Sequence, residues 1–355
     1  MIAELLRNAR RERASDVHIA SRESVALRIQ TDIHLLPEHQ IDAEEVDGFL
    51  RRVLDRRAQA RFDSIGIADA AYHDAEIGAI RVHASRGSLG PRLAIRLVSE
   101  TVPDFESLNL PAAIGSFSDM RSGLVIFSGP CGAGKTTTLA SLVDRANATR
   151  RLHVVTLDVV IEHRFQCRRS IFSQYEVGRD VATFADGVRG ALRADADLLC
   201  IGEVRDSETV AVMLQAAEAG QLVFASLQTP SGAVRTLTRL VALFPYEEQD
   251  RVRARLAETL GALVALKLVQ RRDGVTLWPA CEVLVMTDAI KRILRDGALH
   301  QIRGAIMSAR KNGSQTLESH LSELVAVGTV DLATARAASH YPDEIVLEGR
   351  LHRPG

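Results

Sequence analysis

Short apolar runs alternate with segments of helical period from residue 122 onward, which predicts an α/β domain built on a parallel sheet. Strands are expected at 123–128, 153–158, 169–174, 197–202 and 221–227, and helices at 134–147, 182–192, 207–219 and 231–242. Beyond these the pattern predicts a helix over 247–260, a hairpin over 262–284 and several short helices to about 338. The first 99 residues read differently. A short helix over 2–13 carries Arg7, Arg10, Arg11 and Arg13 on its polar side, a solvated or inter-subunit face. Alternating runs at 16–20, 25–30, 32–36, 65–72, 78–85 and 92–99 surround a helical segment at 43–61. This predicts a smaller α+β domain with an antiparallel sheet. Residues 100–113 carry two prolines and little periodicity, as expected of a linker with one helical turn. The expected organisation is therefore a domain over 1–99, a linker over 100–113 and a second domain over 114–355, with a helical subregion at about 285–340.

Composition narrows the function classes. A net charge of −1 and 4% aromatic residues argue against a nucleic-acid partner. The four cysteines, Cys131, Cys167, Cys200 and Cys281, form no C-x-x-C pair, which argues against a zinc ribbon and for a reducing compartment. The first residues lack the apolar core of a signal peptide, and no window is apolar enough for a membrane span. The expectation is a cytoplasmic protein that reaches a membrane only through a partner.

The segment Gly129-Pro130-Cys131-Gly132-Ala133-Gly134-Lys135-Thr136 follows the apolar run LVIF and precedes the helical pattern TTTLASLVDRA. Strand, glycine-rich loop and helix start form the context of a Walker A motif. Its glycines let backbone N–H groups face phosphate oxygens, and the helix N-terminus adds its dipole. Residues Gly129 to Thr137 are thus the expected ATP contacts, with Lys135 on the β- and γ-phosphates and the Thr136 hydroxyl on Mg²⁺. Cys131 reads as a small filler, with an oxidation-sensitive thiol as the alternative.

The run DLLCIGEVRDSET is the second signal. Glu203 stands at the C-terminal end of a strand, the edge where open α/β sheets bind ligands. There it can orient the water that attacks the γ-phosphate; a surface glutamate ending a strand is the plainer alternative. Asp206 and Ser207 read first as N-caps of the next helix. His18, His34, His83 and His163 show no metal-ligand spacing.

The P-loop, the run TFADGVRGALRADADLLCIGEVRDSETVAVMLQAAEAG and the following SLQTPSGAVRTLTRLVALFP resemble the type II/IV secretion ATPases, nearest their PilT-type pilus-retraction branch. ASDVHIA (14–20) resembles that family's N-terminal signature, and AIKRILRDG (289–297) its C-terminal one with Asp296 in place of Glu. The resemblance spans almost the whole chain. It implies a PAS-like N-terminal domain, a RecA-like ATPase domain, a homo-hexameric ring and ATP held between the domains. It also implies that Arg81 and Arg96 reach the phosphates. The implied partners are an inner-membrane pilus platform protein and a paralogous pilus ATPase. Without the extra N-terminal domains and four-cysteine element of the family's assembly ATPases, retraction or a short-form competence-type pilus motor is the expectation.

Two family elements are altered. Where the family has T-I-E-D-P-I-E, this chain has Thr156-Leu-Asp-Val-Val-Ile-Glu162, which leaves Asp158 and Glu162 as candidates for the metal. Two family histidines are replaced by Gln221 and Gln228. A glutamine amide donates and accepts hydrogen bonds but cannot titrate. Gln228 is the expected γ-phosphate sensor, and Gln221 a further nucleotide contact. Two functions follow: a working motor with an amide sensor, or a weakly or non-hydrolysing ATP-binding accessory subunit of the same machine; a pilus-assembly or type II secretion ATPase is the further alternative.

Overall fold

The computed structural model describes residues 1–29, 32–98, 101–230 and 232–345. Gln30, Ser99, Glu100, Ser231 and residues 346–355, which the expected strands, linker, helix and second domain include, lie outside the described residues. The chain divides into two compact units, Met1–Thr101 with Val160–Arg164, and Val102–Val159 with Phe165–Gly355.

The first unit contains α1 (Ile2–Arg11), β1 (Ala14–Ala20), β2 (Ser24–Ile29), β3 (Asp32–Gln40), α2 (Ala43–Val53), α3 (Arg56–Ile65), β4 (Ile67–Asp74), β5 (Gly78–Gly87) and β6 (Gly90–Leu97). Its strands form one antiparallel sheet in the order β3-β2-β1-β6-β5-β4. Alternation along β5 and β6 sends Ile80, Val82, Ala84, Leu93 and Ile95 into the core with Leu6 of α1 and Leu50 of α2. Arg81, His83 and Arg96 fall on the opposite face, as the period of two requires.

The expected single helix over 43–61 is two helices. Asp55 interrupts it, accepting a hydrogen bond from the Ala58 amide at 2.7 Å as the cap of α3. Gly66 then ends α3 with φ at 73°, so β4 starts two residues later than expected. Arg10 is not on a solvated face. Its guanidinium donates to the carbonyls of Ile77 at 3.0 Å and Val98 at 2.8 Å, and to that of Ala79, tying α1 to the sheet margin.

The second unit contains a single turn α4 (Ala112–Gly115), β7 (Gly123–Gly129), α5 (Lys135–Thr149), β8 (His153–Asp158), β9 (Ile171–Glu176), α6 (Phe184–Arg193), β10 (Leu198–Ile201), α7 (Ser207–Glu218), β11 (Leu222–Gln228), α8 (Ala233–Ala242), α9 (Tyr246–Thr259), β12 (Leu260–Gln270) and β13 (Leu277–Val285). Four shorter helices follow: α10 (Asp288–Arg295), α11 (Ile302–Ser308), α12 (Leu317–Ala326) and α13 (Leu332–Ala338). The sheet order is β13-β12-β7-β11-β10-β8-β9, parallel throughout except for the β12–β13 hairpin.

The LVIF run is apolar at every position because both faces of β7 are covered. Leu124 and Ile126 pack with α6, α7, α8 and α9, while Val125 and Phe127 pack with α5. Phe105, Ile114 and Phe117 join that α5 side. Most of the stretch expected as a linker is therefore packed into the second unit, whose boundary falls at Val102. Strand β9 starts two residues later than expected. The amides of Arg168 and Ser170 donate to Asn147 Oδ1 at 3.1 and 3.4 Å, which holds this backbone on α5 rather than in the ladder.

Phe127 is fully buried and meets Phe224 edge-on, with ring centroids 6.3 Å apart. Phe127→Ala is expected to destabilise the second unit by about 3–5 kcal/mol, read as a lower denaturant midpoint in equilibrium unfolding.

Candidate functional site

The glycine-rich loop leaves β7 at Gly129 and enters α5 at Lys135. A Cβ on Gly129 would lie 2.4 Å from the Leu266 carbonyl oxygen, so no side chain fits where β7 passes β12. Gly132 and Gly134 have φ of 74° and 88°, the left-handed region that glycine enters at low cost. Lys135 Nζ donates to the carbonyls of Gly129 at 2.9 Å and Pro130 at 2.8 Å. Burial lowers its pKa, while the fields of Cys131 and Glu203 act in the opposite direction. A partly desolvated ammonium folded over backbone carbonyls can exchange them for phosphate oxygens. Thr136 is exposed at the first turn of α5.

Parallel pairing brings three more strand ends to the same edge. Gln228, the last residue of β11, is opposite Gly129, and the Thr229 amide donates to the Gly129 carbonyl at 3.3 Å. Glu203 follows β10. Its neighbours are pinned: the Gly202 amide donates to Leu157 O at 2.7 Å, and the Val204 amide to Ser226 O at 2.8 Å. Asp158 ends β8, and a Cβ on Gly202 would lie 2.2 Å from its Oδ1. Lys135, Thr136, Gln228, Glu203 and Asp158 thus occupy one sheet edge. Glu203 pairs with Arg205 at 2.5 Å, and this hydrogen bond raises the arginine's pKa. Asp206 caps α7, accepting from the Thr209 amide at 2.7 Å.

Other candidates lie elsewhere. Gln221 precedes β11 at the opposite, N-terminal end of the strand, about 20 Å along it from Gln228. The structure does not bring Gln221 to the loop of its own chain. Its carbonyl accepts from the Gly123 amide at 3.0 Å, and its buried Oε1 has no hydrogen-bond partner among the described residues. Arg81 and Arg96 belong to the first unit, directly opposite one another on β5 and β6. Glu162 is in the short segment that belongs to that same unit.

One feature escaped the sequence. A cavity of about 420 Å³ opens beside the start of α5, walled by Leu108, Leu110, Thr137, Leu268, Arg271 and Trp278. The Arg271 guanidinium lies over the Trp278 ring, 5.2 Å from its centroid. Apolar walls next to a phosphate-type loop suit a flat heteroaromatic base. The only tryptophan in the chain was the one available signal, and nothing near it in sequence linked it to the loop. A shallower groove of about 530 Å³ over α7 and α9, lined by Gln215, Arg251 and Arg255, is remote from this chemistry.

A family model described as "Type II/IV secretion system protein" matches residues 1–340. The chain belongs to this family. It is 31% identical over 342 residues to the type IV pilus retraction ATPase PilT of Pseudomonas aeruginosa, covering 96% of this chain and 99% of that one. It is also 31% identical to a twitching motility protein of Neisseria gonorrhoeae, covering 87% and 83% of the two chains. Among solved structures, the pilus retraction motor PilT with bound ADP superposes with a TM-score of 0.86 at 32% identity, over 97% of this chain and 98% of that one. No helix among the described residues is long and apolar enough to cross a membrane.

The site's donors fit a divalent cation that arrives with phosphate. Among the described residues no cluster of three or more His, Cys, Asp or Glu gathers. One hydroxyl and one carboxylate, Thr136 and Asp158, offer the sparse oxygen set that suits Mg²⁺, a cation that keeps waters and shares its coordination with nucleotide phosphates. Gly202→Ala is expected to cost about 1–3 kcal/mol by crowding Asp158. The denaturant midpoint reads the loss, and Asp158→Ala in the same chain should recover part of it.

Proposed function

We propose that this protein is an ATP-hydrolysing motor that works as a homo-hexamer and powers retraction of a type IV pilus. The observation that carries the reading is the assembly of Lys135, Thr136, Glu203 and Gln228 on one edge of a parallel sheet. Similarity to the pilus retraction ATPase over nearly the full length of both chains supports the retraction role. The first unit is read as a PAS-like domain, supported by its antiparallel sheet with one buried face.

In this mechanism the triphosphate of ATP replaces the Gly129 and Pro130 carbonyls on Lys135, and the base enters the cavity beside Trp278. Thr136 and Asp158 would hold Mg²⁺, with Glu162 as a further candidate, and the cation would supply charge neutralisation at the phosphates. Glu203 orients water towards the γ-phosphate, a role worth about 10²–10⁴ in rate. Because Gly202 and Val204 are anchored to two different strands, the backbone at Glu203 is rigid, and its carboxylate need only part from Arg205. Gln228 reports the γ-phosphate through its amide. Arg81 and Arg96 stabilise charge in the transition state, the largest contribution in phosphoryl transfer without covalent chemistry. The ring works at the cytoplasmic face of the inner membrane on a pilus platform protein, alongside a paralogous ATPase.

A second reading is favoured by Val159 and the two glutamines: the protein binds ATP, turns it over weakly and assists a more active paralogue. One assay separates them. Wild type is expected to hydrolyse ATP with Mg²⁺, Glu203→Gln to lose about 10²-fold or more in kcat, and Gln228→His to retain turnover. Equal silence of wild type and Glu203→Gln with nucleotide still bound would leave the accessory reading.

A further inference from the structure

The ASDVHIA signature contributes no residue to the mechanism above, yet Asp16 within it touches Arg96. Backbone register sets up the contact. Arg81 is opposite Arg96 on β5 and β6, Arg96 is opposite Asp16 on β6 and β1, and Asp16 is opposite Arg28 on β1 and β2. Four side chains therefore form one row across four neighbouring strands. The flanking residues Val17, Leu27, Val82 and Ile95 are buried on the core face, so the row belongs to the other face.

We infer that Asp16 is a positioning residue for phosphate recognition, fixing the Arg96 guanidinium beside Arg81. The inference rests on the proposed role of Arg81 and Arg96. Arg96 Nε donates to Asp16 Oδ1 at 3.0 Å. A bond at Nε constrains the plane of the whole guanidinium, because its five donors share one rigid fork. Asp16 is itself held: its Oδ2 accepts from Ser15 Oγ at 2.8 Å. Its side chain is 14% exposed, against 48% for Arg96. The acid is the packed post, and the arginine is the reaching arm.

The charge order along the row supports this. Asp16 separates Arg96 from Arg28 and offsets the positive charge on that flank. On the other flank Arg81 stands directly opposite Arg96 and has Ala71 opposite it on β4, while the nearby Asp69 is engaged with His83. An anion is drawn to the Arg81–Arg96 side of the row. Holding the fork in advance removes the ordering cost from the moment of reaction.

The test is a mutant cycle on the full chain: Asp16→Ala, Arg96→Ala and the double variant, with ATP turnover measured in Mg²⁺. Asp16→Ala should lower kcat about tenfold with a smaller change in KM, as for an interaction realised in the transition state. Asp16→Asn should recover part of the loss, because its amide oxygen still accepts from Nε. The double variant should be no slower than Arg96→Ala alone. Full activity in Asp16→Ala, or losses that simply add, overturns the inference while leaving Arg96 in place. Wild-type turnover in Arg96→Ala overturns the underlying role of Arg96 and the inference with it. Should the alanine variant fail to fold, Asp16→Asn carries the same cycle.

Discussion

The parallel ladder β7–β11–β10–β8 is the constraint from which the candidate site follows. Parallel neighbours place their C-terminal ends on one edge. That edge is where Gly129, Gln228, Glu203 and Asp158 emerge from four different parts of the chain. The register leaves little freedom: Gly129 is level with Gln228, and Ile201 is level with both Ala225 and Leu157. Two-sided burial holds the ladder together, since the apolar strand residues pack against helices on one face or the other. Sliding a strand by one residue would exchange its entire set of contacts.

Two glycines show how closely the edge is built. At Gly129 the backbone of β7 passes a β12 carbonyl with no room for a methyl group, and at Gly202 the Asp158 carboxylate takes the place of a side chain. The loop and the carboxylate are thus fixed by backbone approach as well as by hydrogen bonds. Lys135 and Glu203, in contrast, rest on partners that bound nucleotide could replace: two loop carbonyls for the lysine and an exposed arginine for the glutamate. A rigid frame carrying exchangeable polar contacts suits a site that fills and empties repeatedly.

In the first unit the same logic operates through antiparallel pairing. Alternation sends Ile80, Val82, Ala84, Leu93 and Ile95 of β5 and β6 into the core and leaves Arg81 and Arg96 on the other face. The register then aligns them with Asp16 and Arg28, residues that are distant in sequence.

Much was legible in the chain itself. The P-loop glycines, the strand before Glu203 and the alternation of strands and helices follow from local chemistry, because a buried strand, a positive-φ turn and a helix cap each require particular residue types within a few positions. Asp206 as the cap of α7 is one such local reading. Tertiary structure decided the rest. Gln221 and Gln228 look like a pair in sequence, but six residues of extended strand lie between them, so they stand at opposite ends of β11. The break at Asp55 and the late start of β9 depend on hydrogen bonds that periodicity does not register. The cavity beside Trp278 and the Asp16–Arg96 contact join segments far apart along the chain. Sequence alone determined which local elements form and which chemical groups they carry. Only the pairing of distant strands decided which of those groups meet, because register and burial are set between segments and not within them.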